Sequence, residues 1–131
     1  AQLVDNGSGE LVNIAESIVN EYGDEDRVKH ELYLSTVEVT SSPALNTNDT
    51  YSELSSIVSK VLEIAQKQNA GLITTGTHPF ALYEDQKITN VNPRYQEFAD
   101  KYGWAVKRLL TFGMHVHVGD GVHTCGTYMY M

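Results

Sequence analysis

The sequence predicts a single domain that mixes α-helices with β-strands, and three observations support this. Apolar residues recur at helical spacing in three separate segments, which predicts three helices. Between those segments lie short runs rich in β-branched residues, which are typical of strands. Strand and helix alternate along the chain, which favours a parallel α/β sheet, yet a long second strand and short loops leave an antiparallel or mixed α+β sheet open.

Length, charge and cysteine content narrow the class of protein. The 131 residues fit one domain with its own core, and a net charge of −8 without a basic cluster argues against a nucleic-acid partner. Cys125 is the only cysteine, so we expect no disulfide framework within the chain, and a cytoplasmic location is the expectation. The apolar runs fall short of the roughly 18 residues that suggest a membrane span, so no membrane partner is expected. Whether the protein forms a homo-oligomer is left open by the sequence.

The chain opens with the signals of a short strand, a turn and a helix. Residues 1–5 can end a strand, and turn-forming residues follow at 6–9. Apolar side chains between Leu11 and Tyr22 recur at helical spacing, and Gly23 is a typical helix terminator.

The next segment, 28–40, is rich in β-branched residues and predicts one long strand. Alternation along that strand places Glu38 on the face opposite Val37 and Val39. Glu38 is therefore either a ligand on a sheet face or a carboxylate that faces solvent.

A second helix is predicted from Asp49 or Thr50, either of which can cap it, to Asn69. The apolar side chains of this segment form one stripe, which predicts core packing and no site. The stripe consists of Leu54, Ile57, Val58, Val61, Leu62 and Ala65.

A histidine follows the next predicted strand, residues 72–75. His78 stands just past the strand end, between Gly76 and Pro79, which is a suitable position for a site residue. The alternative is a buried histidine whose ring is satisfied by the backbone.

The segment 81–91 has no clear period and predicts a loop. An N-cap residue followed by Pro93 then signals the start of a third helix. Arg94, Lys107 and Arg108 are among only 9 basic residues, and they are either part of a site or ordinary surface charges.

The segment 113–119 predicts a strand with two histidines on one face. His115 and His117 would lie side by side, as half of a metal or phosphate site or as a solvated face. The opposite face is expected to enter a core, and it consists of Met114, Val116 and Val118. Residues 120–131 have no convincing period and could form an edge strand or a tail.

Four separated motifs resemble those of the bacterial type 2 glutamate–cysteine ligases, also called the carboxylate–amine ligase family. The match is specific because the motifs agree in type, order and spacing over about residues 1–119. They are Val28-Lys29-His30-Glu31 with Val37-Glu38-Val39, Gly76-Thr77-His78-Pro79-Phe80, Asn92-Pro93-Arg94-Tyr95, and Phe112-Gly113-Met114-His115-Val116-His117-Val118-Gly119. The last motif also resembles a strand of glutamine synthetases, which share the superfamily fold.

The resemblance implies an α+β fold, with a mostly antiparallel sheet, about three helices on one face and the active site on the other. It also implies an ATP- and Mg²⁺-dependent ligase that phosphorylates a carboxylate, usually that of glutamate, before an amine attacks the acyl phosphate. Small-molecule substrates are thus the implied partners. Carried over by motif, Glu38 and His115 are metal ligands, His117 and His78 contact the nucleotide, and Arg94 is a catalytic residue.

This chain also departs from the family pattern. Family members are several hundred residues long, and the acidic residues that precede the segment matching Gln2–Asp5 are absent here. We therefore expect a partial ligase domain at 1–119, an unmatched tail at 120–131, and no catalysis by this chain alone. Two other functions stay open: a non-catalytic remnant that binds a nucleotide or metal, and a small zinc hydrolase built on His78, His115 and His117.

Overall fold

A computed structural model describes residues 1–90, 93–103, 110–119 and 125–130. Its elements, in chain order, are β1 (Gln2–Asp5), α1 (Ala15–Tyr22), β2 (Val28–His30), β3 (Val37–Val39), α2 (Thr47–Gln66), β4 (Ala70–Ile73), a 3₁₀ turn (Tyr83–Asp85), α3 (Pro93–Tyr102), β5 (Met114–Gly119) and β6 (Cys125–Tyr130). In the described part of the chain, no helix is both long and apolar enough to cross a bilayer.

The strands form three antiparallel pairs, β1 with β4, β2 with β3, and β5 with β6. The predicted α+β class, with antiparallel pairing and three helices, is therefore confirmed. These pairs are separate ladders. Isolated bridges add contacts between segments, such as the bridge between Gln2 and Thr36. The start of β1 lies beside β3, because the Val37 N–H donates to the Ala1 carbonyl at 3.0 Å.

Residues 28–40 form a hairpin, and the prediction of one long strand was wrong. β2 and β3 pair with each other, with Lys29 opposite Glu38 and His30 opposite Val37. Between them the chain turns, and the Thr36 N–H donates to the Tyr33 carbonyl at 3.0 Å. A β-rich composition indicates extended backbone but not whether the segment folds back on itself.

The first helix begins later than the apolar spacing predicts. α1 starts at Ala15, because Leu11 forms a bridge with Val4 and the Val12 N–H donates to the Leu3 carbonyl at 3.0 Å. The predicted stop is confirmed, since Gly23 caps the helix in the left-handed conformation.

The second helix begins earlier than predicted, with Asn46 as its N-cap. The Asn46 side chain accepts a hydrogen bond from the Asp49 backbone N–H at 3.0 Å. Asp49 is therefore inside the first turn, where its charge favours the helix N-terminus.

The core lies where α1 and α2 pack against β1 to β4, and it differs from the predicted stripe on α2. Val58 is 40% exposed, so its place in the predicted core was wrong, and Leu54 and Leu62 are only half-buried. Ile64, which the stripe omitted, is buried. The buried face of α2 is Ile57, Val61, Ile64 and Ala65, a spacing that keeps one side of a helix in contact with the core.

A second, smaller cluster of apolar residues joins the later part of the chain to the hairpin. Leu32, Tyr33 and Leu110 are buried together, and Tyr95 of α3 packs against them. This cluster holds the segment before β5 against the β2–β3 hairpin.

Asp5 organises the turn that follows β1, and this arrangement makes stability depend on pH. The backbone N–H groups of Ser8 and Gly7 each donate to the carboxylate at 2.8 Å, and Asn69 donates to its other oxygen at 3.1 Å. These bonds hold the pKa of Asp5 below its ordinary value of 3.8, and the bond from the Ser8 N–H contributes most.

Because the pKa of Asp5 is lower in the folded state, these bonds stabilise the fold fully above pH 3.8. The stabilisation is lost as the pH falls from there through the folded-state pKa. We expect Asp5→Ala to lower the urea midpoint near neutral pH by more than it does at a pH below the folded-state value. Glu16→Ala, at an exposed carboxylate, serves as the control. A difference between the two proteins that is equal at both pH values would contradict this role.

Candidate functional site

Glu38 lies on the exposed side of β3, as the alternation predicts. Val37, next to it, is fully buried, and Lys29 stands directly opposite Glu38 on β2. The carboxylate accepts a hydrogen bond from the Thr40 hydroxyl at 3.3 Å. Glu38 is thus accessible and close to a lysine and a hydroxyl.

A second carboxylate, Glu31, follows β2 and accepts a hydrogen bond from the Leu32 N–H at 2.9 Å. The amino group of Ala1, at the start of β1, donates to the Val37 carbonyl at 2.9 Å. Burial lowers the pKa of this amino group, whereas the charges of Glu31 and Glu38 act in the opposite direction. Both carboxylates therefore lie within electrostatic reach of the start of β1.

Glu31 belongs to the motif Val28-Lys29-His30-Glu31, but the sequence analysis does not predict it as a site residue. β2 ends at His30, opposite Val37, so Glu31 begins the turn that leads back to the strand of Glu38. A hairpin prediction for 28–39 would have placed both glutamates on one hairpin, whereas a single long strand separates them.

A buried polar atom without a partner among the described residues lies in the recess that Glu31 lines. Gln2 is 1% exposed, and its amide nitrogen donates to the Leu110 carbonyl at 3.3 Å, but its Oε1 has no partner among the described residues. A cavity of about 20 Å³, lined in part by Gln2, Glu31, Thr36 and Thr111, adjoins it. That volume accommodates about one water molecule. An oxygen-rich recess of this kind suits a hard cation with its water ligands.

A larger cavity, about 180 Å³, lies on another side of Tyr33. Burial raises the pKa of the Tyr33 phenol, so the hydroxyl is neutral at physiological pH. The cavity is lined by Tyr33, Tyr83, Glu84, Gln86 and Ile88, and none of these residues was predicted as a site residue.

His78 is buried, and both of its ring nitrogens contact the backbone. Nδ1 accepts from the Ala81 N–H at 3.0 Å, and Nε2 lies 2.9 Å from the Gly9 carbonyl oxygen. Because Nδ1 accepts, Nε2 carries the proton and donates to Gly9. The Phe80 ring packs edge-on against the imidazole, with 4.5 Å between the centroids. Of the two sequence alternatives, this geometry favours the histidine satisfied by the backbone; a contact with nucleotide stays a prediction.

Replacing His78 should therefore affect stability through the loop that it holds. We expect His78→Ala to lower the free energy of unfolding by about 1–3 kcal/mol, since it removes a buried side chain and leaves the partly buried Ala81 N–H without its acceptor. His115→Ala, which removes an exposed imidazole, should change stability by no more than about 0.5 kcal/mol. Urea denaturation of both variants checks this, and nitrogen NMR should show the Nε2–H form of His78. Equal effects of the two substitutions would show that the His78 contacts do not stabilise the chain.

The predicted histidine strand is present as β5, and His115 and His117 share one of its faces. Both side chains are exposed. The expectation that the opposite face enters a core was wrong, because Met114 is 61% exposed, Val116 37% and Val118 53%. Period-two alternation identifies the two faces of a strand, but the neighbours that cover a face are set by the rest of the molecule.

The structure does not describe the side chains of the three predicted cationic residues. Arg94 is the second residue of α3, but its side chain lies outside what the structure describes. Lys107 and Arg108 lie outside the described residues altogether.

The predicted ligands do not assemble into one metal centre. Within residues 1–90, 93–103, 110–119 and 125–130, no three His, Cys, Asp or Glu side chains are grouped so that they could hold an ion. Glu38, His115 and His117 therefore do not converge as expected, and His78 does not join the two strand histidines. The arrangement that the structure does show is the carboxylate pair Glu31 and Glu38.

Comparison with known proteins identifies the family. The model of glutamate–cysteine ligase family 2 matches residues 2–120. The chain belongs to this family. The match contains β1, both candidate carboxylates, His78 and the whole of β5, and it ends before β6.

Curated relatives agree with the family match. A protein of Clavibacter michiganensis subsp. michiganensis, provisionally named glutamate–cysteine ligase 2, is 34% identical over 119 residues, which are 88% of this chain and 31% of the relative. Similar proteins occur in Frankia alni, at 39% identity over 90% of this chain and 32% of the relative, and in Mycobacterium tuberculosis, at 35% over 89% and 31%. The chain thus spans about a third of the length of these relatives. No solved structure matches it.

Proposed function

We propose that this chain forms part of an ATP-dependent carboxylate–amine ligase that joins glutamate, or a similar carboxylate, to an amine in the cytoplasm. Family membership supports the ligase class. The observation that carries the proposal for this chain is a candidate metal position on the β2–β3 hairpin, where Glu38 is exposed on β3 and Glu31 lines a recess together with the buried Gln2.

The residues at that position fit the Mg²⁺ that such a ligase requires. Magnesium prefers oxygen ligands and keeps several of its waters. Glu31 and Glu38 supply carboxylate oxygens, and Gln2 Oε1 is a buried oxygen without a partner among the described residues. When bound with ATP, magnesium neutralises the phosphate oxygens during transfer to the carboxylate.

The strand histidines have a different role in the proposal. Both histidine side chains are exposed on one face of β5, where a large anionic ligand can reach them, and both belong to the family motif. His115 would be a ligand of an ion bound with the nucleotide phosphates, apart from the position at Glu38, and His117 would contact the phosphates themselves. Because neither forms a three-ligand cluster with the described residues, each would act together with phosphate oxygens. His78 would support the loop beside the nucleotide, and Arg94 would stabilise the transferring phosphoryl group.

Paramagnetic broadening by Mn²⁺, added with ATP to the full chain, tests the metal position. We expect the backbone signals of Gln2, Glu31 and Glu38 to broaden first. Glu31→Gln and Glu38→Gln should each weaken this effect, because the substitution removes a charge but keeps the size of the side chain. Glu16→Gln, at an exposed carboxylate on α1, should leave it unchanged. Broadening that persists in both glutamine variants would show that the carboxylate pair does not hold the ion.

The two alternative functions now differ in support. A zinc hydrolase lacks the three-ligand cluster that it needs in the described part of the chain. A non-catalytic binding module differs from the ligase in the product that it releases, not in the residues that would bind the nucleotide. Retained Mn²⁺–ATP binding without product release would favour the module over the ligase.

A further inference from the structure

The turn after β1 contains the dipeptide Asn6-Gly7, and Asn6 is the only asparagine in the sequence that glycine follows. Asparagine is one of the chemically labile residues of proteins. Its side-chain amide is lost when the backbone nitrogen of the next residue attacks it, and glycine hinders this attack least because it has no Cβ. Both residues are exposed, so water can reach the reacting atoms. Asn6 is therefore the candidate for a modification within the chain.

The reaction has two steps and needs only water. The Gly7 nitrogen loses its proton and forms a bond to Cγ of Asn6, while the bond from Cγ to the side-chain nitrogen breaks and ammonia leaves with that proton. Water then adds to one of the two carbonyl carbons of the five-membered imide and breaks its bond to the nitrogen, which regains a proton. The product is aspartate or isoaspartate at position 6, and no atom is oxidised or reduced.

The folded turn opposes the first step, because Asp5 holds the nitrogen that has to react. The Gly7 N–H donates to Oδ1 of Asp5 at 2.8 Å, and the Ser8 N–H donates to the same oxygen at 2.8 Å. A hydrogen bond to a carboxylate is stronger than one between neutral groups. Loss of the Gly7 proton would break this bond and place negative charge on a nitrogen beside a carboxylate, which is unfavourable. Asp5 thus raises the barrier to the attack.

The other reacting group, the side chain of Asn6, is directed towards β4. A Cβ atom on Gly71 would lie 2.8 Å from Oδ1 of Asn6, so this oxygen rests against the backbone of Gly71. The Asn6 N–H donates to the Asn69 carbonyl at 3.0 Å, and the Asn69 side chain donates to Oδ2 of Asp5 at 3.1 Å. The start of β4 therefore restrains both Asn6 and the carboxylate that holds the Gly7 nitrogen.

We propose that Asn6 is a deamidation site that the folded turn keeps slow, with Asp5 as the residue that protects it. Either product adds a negative charge next to Asp5. Isoaspartate also lengthens the backbone by one carbon directly after β1. This insertion displaces the bond from Asn6 to Asn69 and weakens the pairing of β1 with β4. The site is independent of the proposed ligase activity.

Peptide mass spectrometry over time measures the conversion of Asn6 in the folded chain, in the chain denatured by urea, and in Asp5→Ala. We expect the folded chain to convert about tenfold more slowly than the denatured chain, because a charge-assisted hydrogen bond has to break first. Asp5→Ala should convert faster than the original folded chain and approach the rate of the denatured chain.

Two controls separate the effect of the turn from unfolding of the whole chain. Ile64→Val, a core substitution on α2, destabilises the fold without removing a bond of the turn and should keep the slow rate. Hydrogen exchange of the Leu3 N–H, which donates to the Ser35 carbonyl at 2.8 Å, reports whether each variant is folded. In folded Asp5→Ala, exchange at Gly7 should increase while Leu3 stays protected.

Equal rates in the folded and the denatured chain would overturn the proposal, because the turn would then not restrain Asn6. Folded Asp5→Ala that converts no faster than the original chain would also overturn it, and a lower rate would assign the carboxylate the role of a base. Conversion of Ile64→Val as fast as that of Asp5→Ala would attribute the reaction to unfolding.

Free exchange of Leu3 in Asp5→Ala would mean that this variant has unfolded, and Asp5→Ser then decides. The serine hydroxyl can still accept the bond from Gly7, but without a charge, so the rate should lie between those of the folded and denatured chains. Conversion of folded Asp5→Ser at the original rate would refute the protection by Asp5.

Discussion

Replacing Ile64 with alanine should lower the free energy of unfolding by about 2–5 kcal/mol. Ile64 is 3% exposed on α2 and belongs to the cluster that joins both early helices to the strands. The substitution removes three carbon atoms and leaves a cavity between elements that cannot fully collapse. For a domain whose total stability is on the order of 5–15 kcal/mol, this loss would unfold a large fraction of the protein at elevated temperature.

Urea denaturation measures this effect, and Val58→Ala provides the matched control. Val58 is on the same helix, about 1.7 turns from Ile64, and it is 40% exposed. Its truncation should change stability by no more than about 0.5 kcal/mol. If Val58→Ala destabilised the chain as much as Ile64→Ala, the assignment of the buried face would be incorrect.

The comparison of these two residues also shows what the sequence could predict. Helical spacing identified α2, but the stripe that included Val58 and omitted Ile64 was shifted around the helix. Both residues are β-branched and apolar, and residues on neighbouring rows of a helix are both plausible core positions. Which row is buried depends on the position of α1 and β4 against α2, which the pattern of a single segment does not contain.

The candidate site shows the same division between local and tertiary information. Glu38, His115 and His117 were found because alternation along a strand assigns each residue to a face. Glu31 was missed because its approach to Glu38 depends on the hairpin, and the hairpin depends on pairing between two short strands. The environments of His78 and Met114 likewise depend on other segments. His78 is buried because its ring contacts Gly9, which is far away in the sequence. Met114 is exposed because none of the described residues covers its side of β5.

The candidate carboxylates and the strand histidines lie on different parts of the fold. Glu31 and Glu38 belong to the β2–β3 hairpin, whereas the histidines lie on β5. The segment before β5 packs against the hairpin through Leu110, and its Phe112 N–H donates to the Gly76 carbonyl at 2.9 Å. In the proposed function, phosphate oxygens would therefore have to link the two sets of residues.

The 131-residue chain alone should not catalyse ligation, and it should bind nucleotide weakly. Phosphoryl transfer depends on positioned cations that neutralise the phosphate oxygens. Here the described residues offer two carboxylates but no cluster of three ligands, and magnesium gives up its waters reluctantly. His115 and His117 are exposed, so their contacts with phosphate would be weakened by the high dielectric constant of water.

An assay of ATP hydrolysis with Mg²⁺, glutamate and a panel of amines measures this prediction. The expected result is no release of ADP or phosphate above that of a His115→Ala variant, which serves as the control for contaminating ATPases. Turnover that is present in the chain and lost in His115→Ala would contradict the prediction, because it would show that β5 and the carboxylate pair suffice for phosphoryl transfer. Absence of turnover in the chain, together with turnover by the intact Clavibacter relative under the same conditions, would agree with the prediction.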